Sequence, residues 1–412
     1  MKTVSFQELV EINPRVNLSR GESYPFVPMS SLKPRQRYVT ASEFRQSGGG
    51  AKFCGGDTLF ARITPCLENG KIAQFKAPPK QKAFGSTEYW IFRAKEGVSD
   101  PGFIFYLSTT DLIRKPAEKS MSGASGRQRA DVAAIYDVQV PDFDLSYQRR
   151  IASTLSAYDD LIENNTRRIE ILEEMARRLY EEWFVHFRFP GHEDVSFKES
   201  ELGRIPEKWE VHQLEEVVAL NPRTKVPKEG EKWFVPMGAL SESSMVVGSL
   251  EKKSGNSGAK FQNGDTLVAR ITPCLENGKT GFVDFLPEEQ PTACGSTEFI
   301  VLRSISLCPE MVYLLARSDR FRDVAIKSMS GATGRQRVRV ESLVELPVVQ
   351  PDHATLEAFQ RFVVPCFKQV RTLALKNANL RAQRDLLLPK LVSGEIDVSD
   401  IPMPNDKEIE AA

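Results

Sequence analysis

Apolar residues recur along two stretches of the chain with the spacing of a helix that buries one seam. In the first, Ile151, Leu155, Tyr158, Ile162, Asn165, Ile169, Leu172, Ala176, Leu179 and Trp183 follow at alternating steps of four and three. In the second, Phe359, Val363, Cys366, Val370, Leu373, Asn377, Leu380, Arg384, Leu387 and Leu391 keep the same steps. A period of 3.5 residues sustained over several heptads predicts coiled-coil helices. Each would be a rod of roughly 55–60 Å at the helical rise per residue. A helix with such a stripe needs a partner, so the two are expected to pack antiparallel on one another. The polar seam residues Asn165, Asn377 and Arg384 would fix register at some cost in stability. Pro365 is expected to kink or interrupt the second helix.

Ahead of each helix the pattern changes to period two. GDTLFARITP and GDTLVARITP each open on a Gly-Asp turn, alternate apolar and polar residues, and stop at Pro65 or Pro273, which predicts a strand. GSTEYWIFR at 85–93 and GSTEFIVLR at 295–303 predict a second strand after a glycine. Amphipathic helices are expected near 101–114 and 309–322. Short amphipathic openings (Phe6, Leu9, Val10 and Leu214, Val217, Val218) lead into turns at Asn13-Pro14 and Asn221-Pro222. The expected organisation is therefore a mixed α/β globule over 1–145, a long helix over 146–186 and a polar linker over 187–210. A second globule over 211–350, a second long helix over 351–392 and a loosely ordered acidic tail over 393–412 complete it.

The two halves are copies. Residues 53–71 and 261–279 agree at 16 of 19 positions at an offset of 208. SMSGASGRQR at 120–129 and SMSGATGRQR at 328–337 keep that offset, and so does every seam position of the helices. A period this long indicates duplicated domains rather than a solenoid, and the duplicated unit is a globule plus a helix. The fold expected is α+β: two mixed α/β globules related by internal pseudo-two-fold symmetry, joined by two long antiparallel coiled-coil helices.

A chain of 412 residues has room for two to four domains. Its 55 basic and 55 acidic residues balance, so any polyanion site must be local. Six cysteines without a CxxC pair or a nearby histidine cluster argue against a zinc site and a disulfide framework. Cys66 and Cys274 read as packed small apolar side chains. With no signal-peptide stretch and no apolar run long enough for a membrane span, a cytoplasmic chain is expected.

Catalytic readings of the repeated CLENGK fail on spacing. A phosphate-binding loop needs a glycine where Pro273 stands, and the first copy places Ile72 where a hydroxyl is required. A metal nuclease would draw on Asp57, Glu68 and Lys71, but Glu-x-x-Lys puts the last two on opposite faces of a strand. The four histidines (186, 192, 212 and 353) lie outside the repeated motifs. Neither Asn-Pro turn continues into the amino-methyltransferase tetrapeptide, and no glycine-rich loop after a strand suits a nucleotide cofactor. No metal or cofactor is expected.

Local charge is more informative. Arg114, Lys115, Lys119, Arg127 and Arg129 face only Glu118 over 114–129, and 317–339 is similarly basic. A Ser/Gly loop carrying Arg-Gln-Arg suits phosphate contact through amides and hydroxyls, and base contact through Arg and Gln. Two near-identical copies strengthen a DNA-binding reading.

The segment QRRIASTLSAYDDLIENNTRRIEILEEMARRLYEEWF (148–184), together with the paired GSTE and SMSG motifs, closely resembles the DNA-specificity subunit of type I restriction–modification enzymes. The resemblance covers essentially the whole chain. It implies that each globule is a target-recognition domain reading half of a split DNA sequence, and that the helices are spacers packed antiparallel. It also implies a subunit without catalysis of its own, whose partners are double-stranded DNA, two methylating subunits and restriction subunits. Candidate DNA contacts are Arg62, Lys71, Arg127, Gln128 and Arg129, with Arg270, Lys279, Arg335, Gln336 and Arg337. Segments that differ between the copies, 31–52 against 239–260 and 74–84 against 282–294, are expected to choose bases. Two globules so alike suggest related half-sites and a near-palindromic target. The competing expectations are a single-chain nuclease with two duplicated sites and a structural coiled-coil scaffold.

Overall fold

A computed structural model describes residues 2–402 apart from Ser125 and Thr333. The chain divides into two compact units, Met1–Glu163 with the chain from Asn377 onward, and Asn164–Lys376. The long helices Leu145–Tyr180 and His353–Ser393 each contribute to both. Among the described residues no helix is long and apolar enough to cross a membrane.

In the first unit, a five-stranded sheet runs in the order Val10–Ile12, Tyr89–Ala94, Thr58–Ala61, Ile72–Phe75, Tyr38–Val39. A second sheet runs Glu43–Gln46, Ser23–Val27, Lys82–Gly85, Ala51–Cys54. The predicted strands are the centre of the first sheet: Tyr89–Ala94 pairs antiparallel with Thr58–Ala61, with Trp90 opposite Phe60. Leu59, Ala73, Tyr89 and Ile91 join Val27, Phe53 and Ala83 of the second sheet in one core. The opposite face (Phe60, Trp90, Phe92) packs on Phe103, Ile104 and Leu107 of the helix Pro101–Thr109. Gly85 sits between the layers, where a Cβ would lie 2.4 Å from the Val27 carbonyl and 2.9 Å from the Tyr89 ring. That close approach is why this motif opens on glycine.

The second unit repeats the plan. One sheet runs Val218–Leu220, Phe299–Ser304, Thr266–Ala269, Thr280–Phe282, and the other Glu251–Ser254, Glu231–Val235, Thr292–Gly295, Ala259–Gln262. In each unit the single amphipathic helix expected after the sheet is two. Pro101–Thr109 is followed by Asp111–Lys119, and Pro309–Arg317 by Asp319–Lys327. The break falls where Thr110 and Ser318 take extended backbone, and the Ser318 hydroxyl accepts from the Phe321 N–H as an N-cap.

The long helices bury much of the apolar seam, with Asp159 and Phe367 buried next to Tyr158 and Cys366, which are half-buried. Ile151, Leu155, Ile162, Val363 and Val370 are buried, while Leu172, Leu179, Leu380 and Leu387 are half-buried at its edges. Pairing is antiparallel within each unit. In the first, Asp159 meets Arg384 and the Ile162 carbonyl accepts from Asn377. In the second, Trp183 packs against Phe359 and Phe362, and Val363, Phe367 and Val370 line the same core as Ile169 and Ala176. Pro365 does not end the second helix, which runs unbroken from His353 to Ser393 with Pro365 on its exposed side. There the lost N–H bond is one carbonyl left to water.

Residues 187–210 are more structured than a polar linker suggests. They form the hairpin Phe197–Ser200 with Gly203–Pro206, and Phe189 and Trp209 are buried with Trp183 and Phe359. The tail also docks at its start. Val398 is fully buried in the first unit, where Tyr147 Oη donates to the Ile396 carbonyl at 3.2 Å. Residues 403–412 of the expected acidic tail lie outside the described residues.

Candidate nucleic-acid interface

Three repeated motifs that are far apart in sequence converge in each unit. In the first, SMSGASGRQR folds back on itself as a tight hairpin, with Ser122 and Arg129 bonded N–H to carbonyl in both directions at 2.9–3.0 Å. The hairpin is stitched to the end of the GDTLFARITP strand: Thr64 N–H donates to the Gln128 carbonyl at 3.0 Å, and Ala130 N–H to the Arg62 carbonyl at 2.9 Å. The strand turns at the cis Thr64-Pro65 bond into the LENG turn, closed by Gly70 at φ +66°. Arg114 donates to the Leu67 and Glu68 carbonyls of that turn. The second unit reproduces these features with Ser330 and Arg337, Thr272 and Gln336, Val338 and Arg270, and Arg322 donating to the Glu276 carbonyl.

The third motif supplies a carboxylate. Glu88 of GSTE accepts from Arg62 Nε at 3.2 Å and from Arg129 Nη2 at 2.7 Å. Glu298 accepts from Arg337 Nη2 at 2.7 Å, with Arg270 Nε at 3.9 Å. The Arg129 and Arg337 guanidinium hydrogen bonds hold the Glu88 and Glu298 carboxyls below their ordinary range, with Arg62 and Arg270 adding to the shift. Both glutamates are therefore ionised at neutral pH; Glu88 hydrogen-bonds two arginines, whereas Glu298 hydrogen-bonds Arg337 and has Arg270 within ion-pair reach.

The candidate contact residues thus divide by environment. Arg62, Arg129 and Arg337 are hydrogen-bonded to a glutamate, and Arg270 lies 3.9 Å from one. Arg127 and Arg335, at the hairpin tips, are exposed and make no ion pair among the described residues. Gln128 and Gln336 are half-buried and give their carbonyls to the strand end. Lys71 is half-buried and donates to the Met29 carbonyl at 3.2 Å, and Lys279 is half-buried at the matched place. Cys66 and Cys274 are half-buried in the same turns.

Beside each hairpin lies an open cleft. The first, of about 560 Å³, is lined by Asn13–Asn17, Gly50–Lys52, Arg62 and Thr87. The second, of about 1150 Å³, is lined by the matched Asn221–Lys228, Gly258–Lys260, Arg270 and Thr297. Among the described residues no carboxylate lines either one. Arg15, Lys52 and Arg62 in one, and Arg223, Lys225, Lys228, Lys260 and Arg270 in the other, make both electropositive. Asn13 and Asn221 form the bend at one end in the left-handed region. Their Oδ1 atoms accept from the Ile91 and Val301 N–H groups.

Sequence reasoning missed several residues of this site. Glu88 and Glu298 orient its arginines, and Arg114 and Arg322 clamp its turn. The glutamate kept in both copies of the GSTE motif was the available signal. Asp57, weighed as a nuclease acid, is buried and takes a bidentate bond from Arg93 at 2.6–2.8 Å, as Asp265 does from Arg303.

The segments expected to choose bases fall in two places. Residues 43–52 and 251–260 run along the second sheet to the cleft. Residues 31–41 and 74–76 instead face the helices: Arg35 lies 3.8 Å from Asp385 and Lys76 3.3 Å from Glu163. At the matched positions of the second unit Asp284 faces Arg371 at 3.8 Å, the same pair with its charges exchanged. Ser244 Oγ and Met245 N–H both donate to Glu173 there. Divergence in these stretches is thus tied to divergence of the helix they touch.

No family model matches the chain. It is 25% identical over 319 residues to the type I restriction enzyme MjaIX specificity subunit of Methanocaldococcus jannaschii, covering 74% of this chain and 71% of that one. It is 24% identical over 405 residues to the HindI specificity subunit of Haemophilus influenzae, covering 83% and 86%. Among solved structures, the S subunit of a type I restriction–modification system from M. genitalium matches at a TM-score of 0.52 with 13% identity, over 95% of this chain and 96% of that one. The chain is thus similar, along most of its length, to the specificity subunits of type I restriction enzymes, the family its repeated motifs resemble.

Proposed function

We propose that the chain is the non-catalytic DNA-specificity subunit of a type I restriction–modification complex, reading a bipartite target with one half-site per globule. The observation that carries this reading is the duplicated junction. Each unit independently assembles two arginines beside a glutamate, an arginine at a hairpin tip with no ion pair among the described residues and a cationic cleft, and a split duplex target calls for two such surfaces. Phosphate contacts are assigned to these arginines, and base reading to the cleft. The long helices would serve as spacer and as platform for two methylating subunits, with restriction subunits joining the complete enzyme in the cytoplasm.

The test is duplex binding by the chain assembled with its methylating subunits, titrated at several salt concentrations. Target affinity should fall steeply with salt, because phosphate neutralisation releases counterions. It should also depend on both half-sites of one duplex. Salt-insensitive binding would contradict the proposal, and so would equal affinity for any sequence.

A further inference from the structure

The two clefts have the same frame but not the same reading groups. Along the segment after each Asn-Pro turn the side chains alternate outward and inward. Arg15 and Asn17 are exposed while Val16 is buried; Arg223 and Lys225 are exposed while Thr224 is half-buried and Val226 buried. Both outward side chains line the cleft in each unit. The inward side is fixed in place: Thr224 Oγ1 accepts from Arg303 Nη2 at 2.9 Å, and Lys82 Nζ holds the Asn17 carbonyl at 3.0 Å. Neither Asn17 nor Lys225 offers its side chain to a hydrogen bond among the described residues. Most of the frame matches between the copies: Arg15 with Arg223, Lys52 with Lys260 and Arg62 with Arg270 at the offset of 208, and Thr87 with Thr297 in the paired GSTE motifs, at 210. At the second outward position the chemistry changes, from a neutral amide with donor and acceptor to a cationic donor.

We infer that Asn17 and Lys225 are specificity-determining residues, which read the base at corresponding positions of the two half-sites. An asparagine side chain matches the N6 and N7 edge of adenine, and a lysine ammonium the O6 and N7 acceptors of guanine. The first half-site accordingly carries adenine where the second carries guanine. Arg15 and Arg223 read or anchor the same neighbour in both. The two half-sites are related, but they are not a perfect palindrome.

This inference rests on the proposed DNA-reading role, and one experiment separates the two. Methylome sequencing is done on a host expressing the full chain with its methylating subunits, as wild type and as the reciprocal variants N17K and K225N. Each variant is expected to change a single base position, in one half-site only, and in different half-sites. Methylation of the original base there should fall roughly ten- to hundredfold relative to the new one. If the wild type gives no bipartite motif, the proposed function fails. If it gives one and both variants leave it unchanged, only the inference is overturned. It is also overturned if either variant alters both half-sites alike, or if both abolish methylation at an unchanged melting temperature.

Discussion

Replacing Arg384 with alanine is the sharpest available perturbation of the helical seam. Arg384 and Asp159 form an ion pair with each side chain only 8% exposed. The Tyr106 hydroxyl donates to the other Asp159 oxygen at 2.6 Å, and Asp385 meets the far side of the guanidinium. Arg384→Ala leaves the Asp159 carboxylate buried with a single neutral donor. Breaking one partner out of a buried pair costs about 3–5 kcal/mol. For a unit of this size that is a drop in melting temperature of roughly 6–20 °C. The second unit shows how the site could be rebuilt, since 208 residues away the positions of Asp159 and Arg384 are held by Phe367 and Ala176, both buried in its core. The double variant D159F/R384A installs that apolar pair and should recover part of the loss, because well-packed apolar groups commonly replace a buried ion pair at little or no cost, while the Tyr106 hydroxyl loses its acceptor. Differential scanning calorimetry of wild type, single and double variants measures both steps on the transition of the first unit. A loss below about 1 kcal/mol for R384A would refute the reasoning, as would a double variant no more stable than the single one.

Further outcomes follow from the same geometry. Arg127→Ala, which removes an exposed cation with no ion pair among the described residues, should weaken duplex binding about equally for matched and mismatched targets and reduce the salt slope by about one; gel-shift titration with both duplexes checks this. Exchanging residues 43–52 for 251–260 should alter one half-site in methylome sequencing, whereas exchanging 31–41 for 239–249 should lower the melting temperature without changing the motif, because the latter segments face the helices. Burial pushes the Asp284 carboxyl up to about 6, against the opposing pull of Arg371. Its folded form holds a proton that the unfolded chain releases near pH 4, so its contribution to stability is present below that value and is lost as pH rises through about 6. Asp284→Asn should therefore be more stable than the wild type at pH 7, with the difference shrinking toward pH 4 in urea titrations.

How much of this was legible in the sequence depends on the range of the interactions. The seam from Ile151 to Trp183 and the strands around Thr58–Ala61 and Tyr89–Ala94 are written in local periodicity, and they fold as that periodicity predicts. The two-helix break at Thr110 was less visible, because nothing but an extended backbone at one residue announces it. Trp209 and Val398 were placed in a linker and a tail since their neighbours in sequence are polar; their burial is decided by residues far along the chain. The convergence of Arg62, Glu88 and Arg129 could not be read from spacing, because each belongs to a separate motif. Comparing the two copies marked all three motifs as shared but not as joined. The exchanged pairs Lys76–Glu163 and Asp284–Arg371 explain why some divergent segments looked like base readers: they diverge together with their helix.

The most direct test is the methylome of a host that gains this chain together with its methylating subunits. The account predicts a new motif of two short half-sites separated by a fixed run of unspecified bases, with half-sites that resemble one another, absent when the chain is omitted. A single uninterrupted motif, two unrelated half-sites, or methylation that persists without the chain would contradict it.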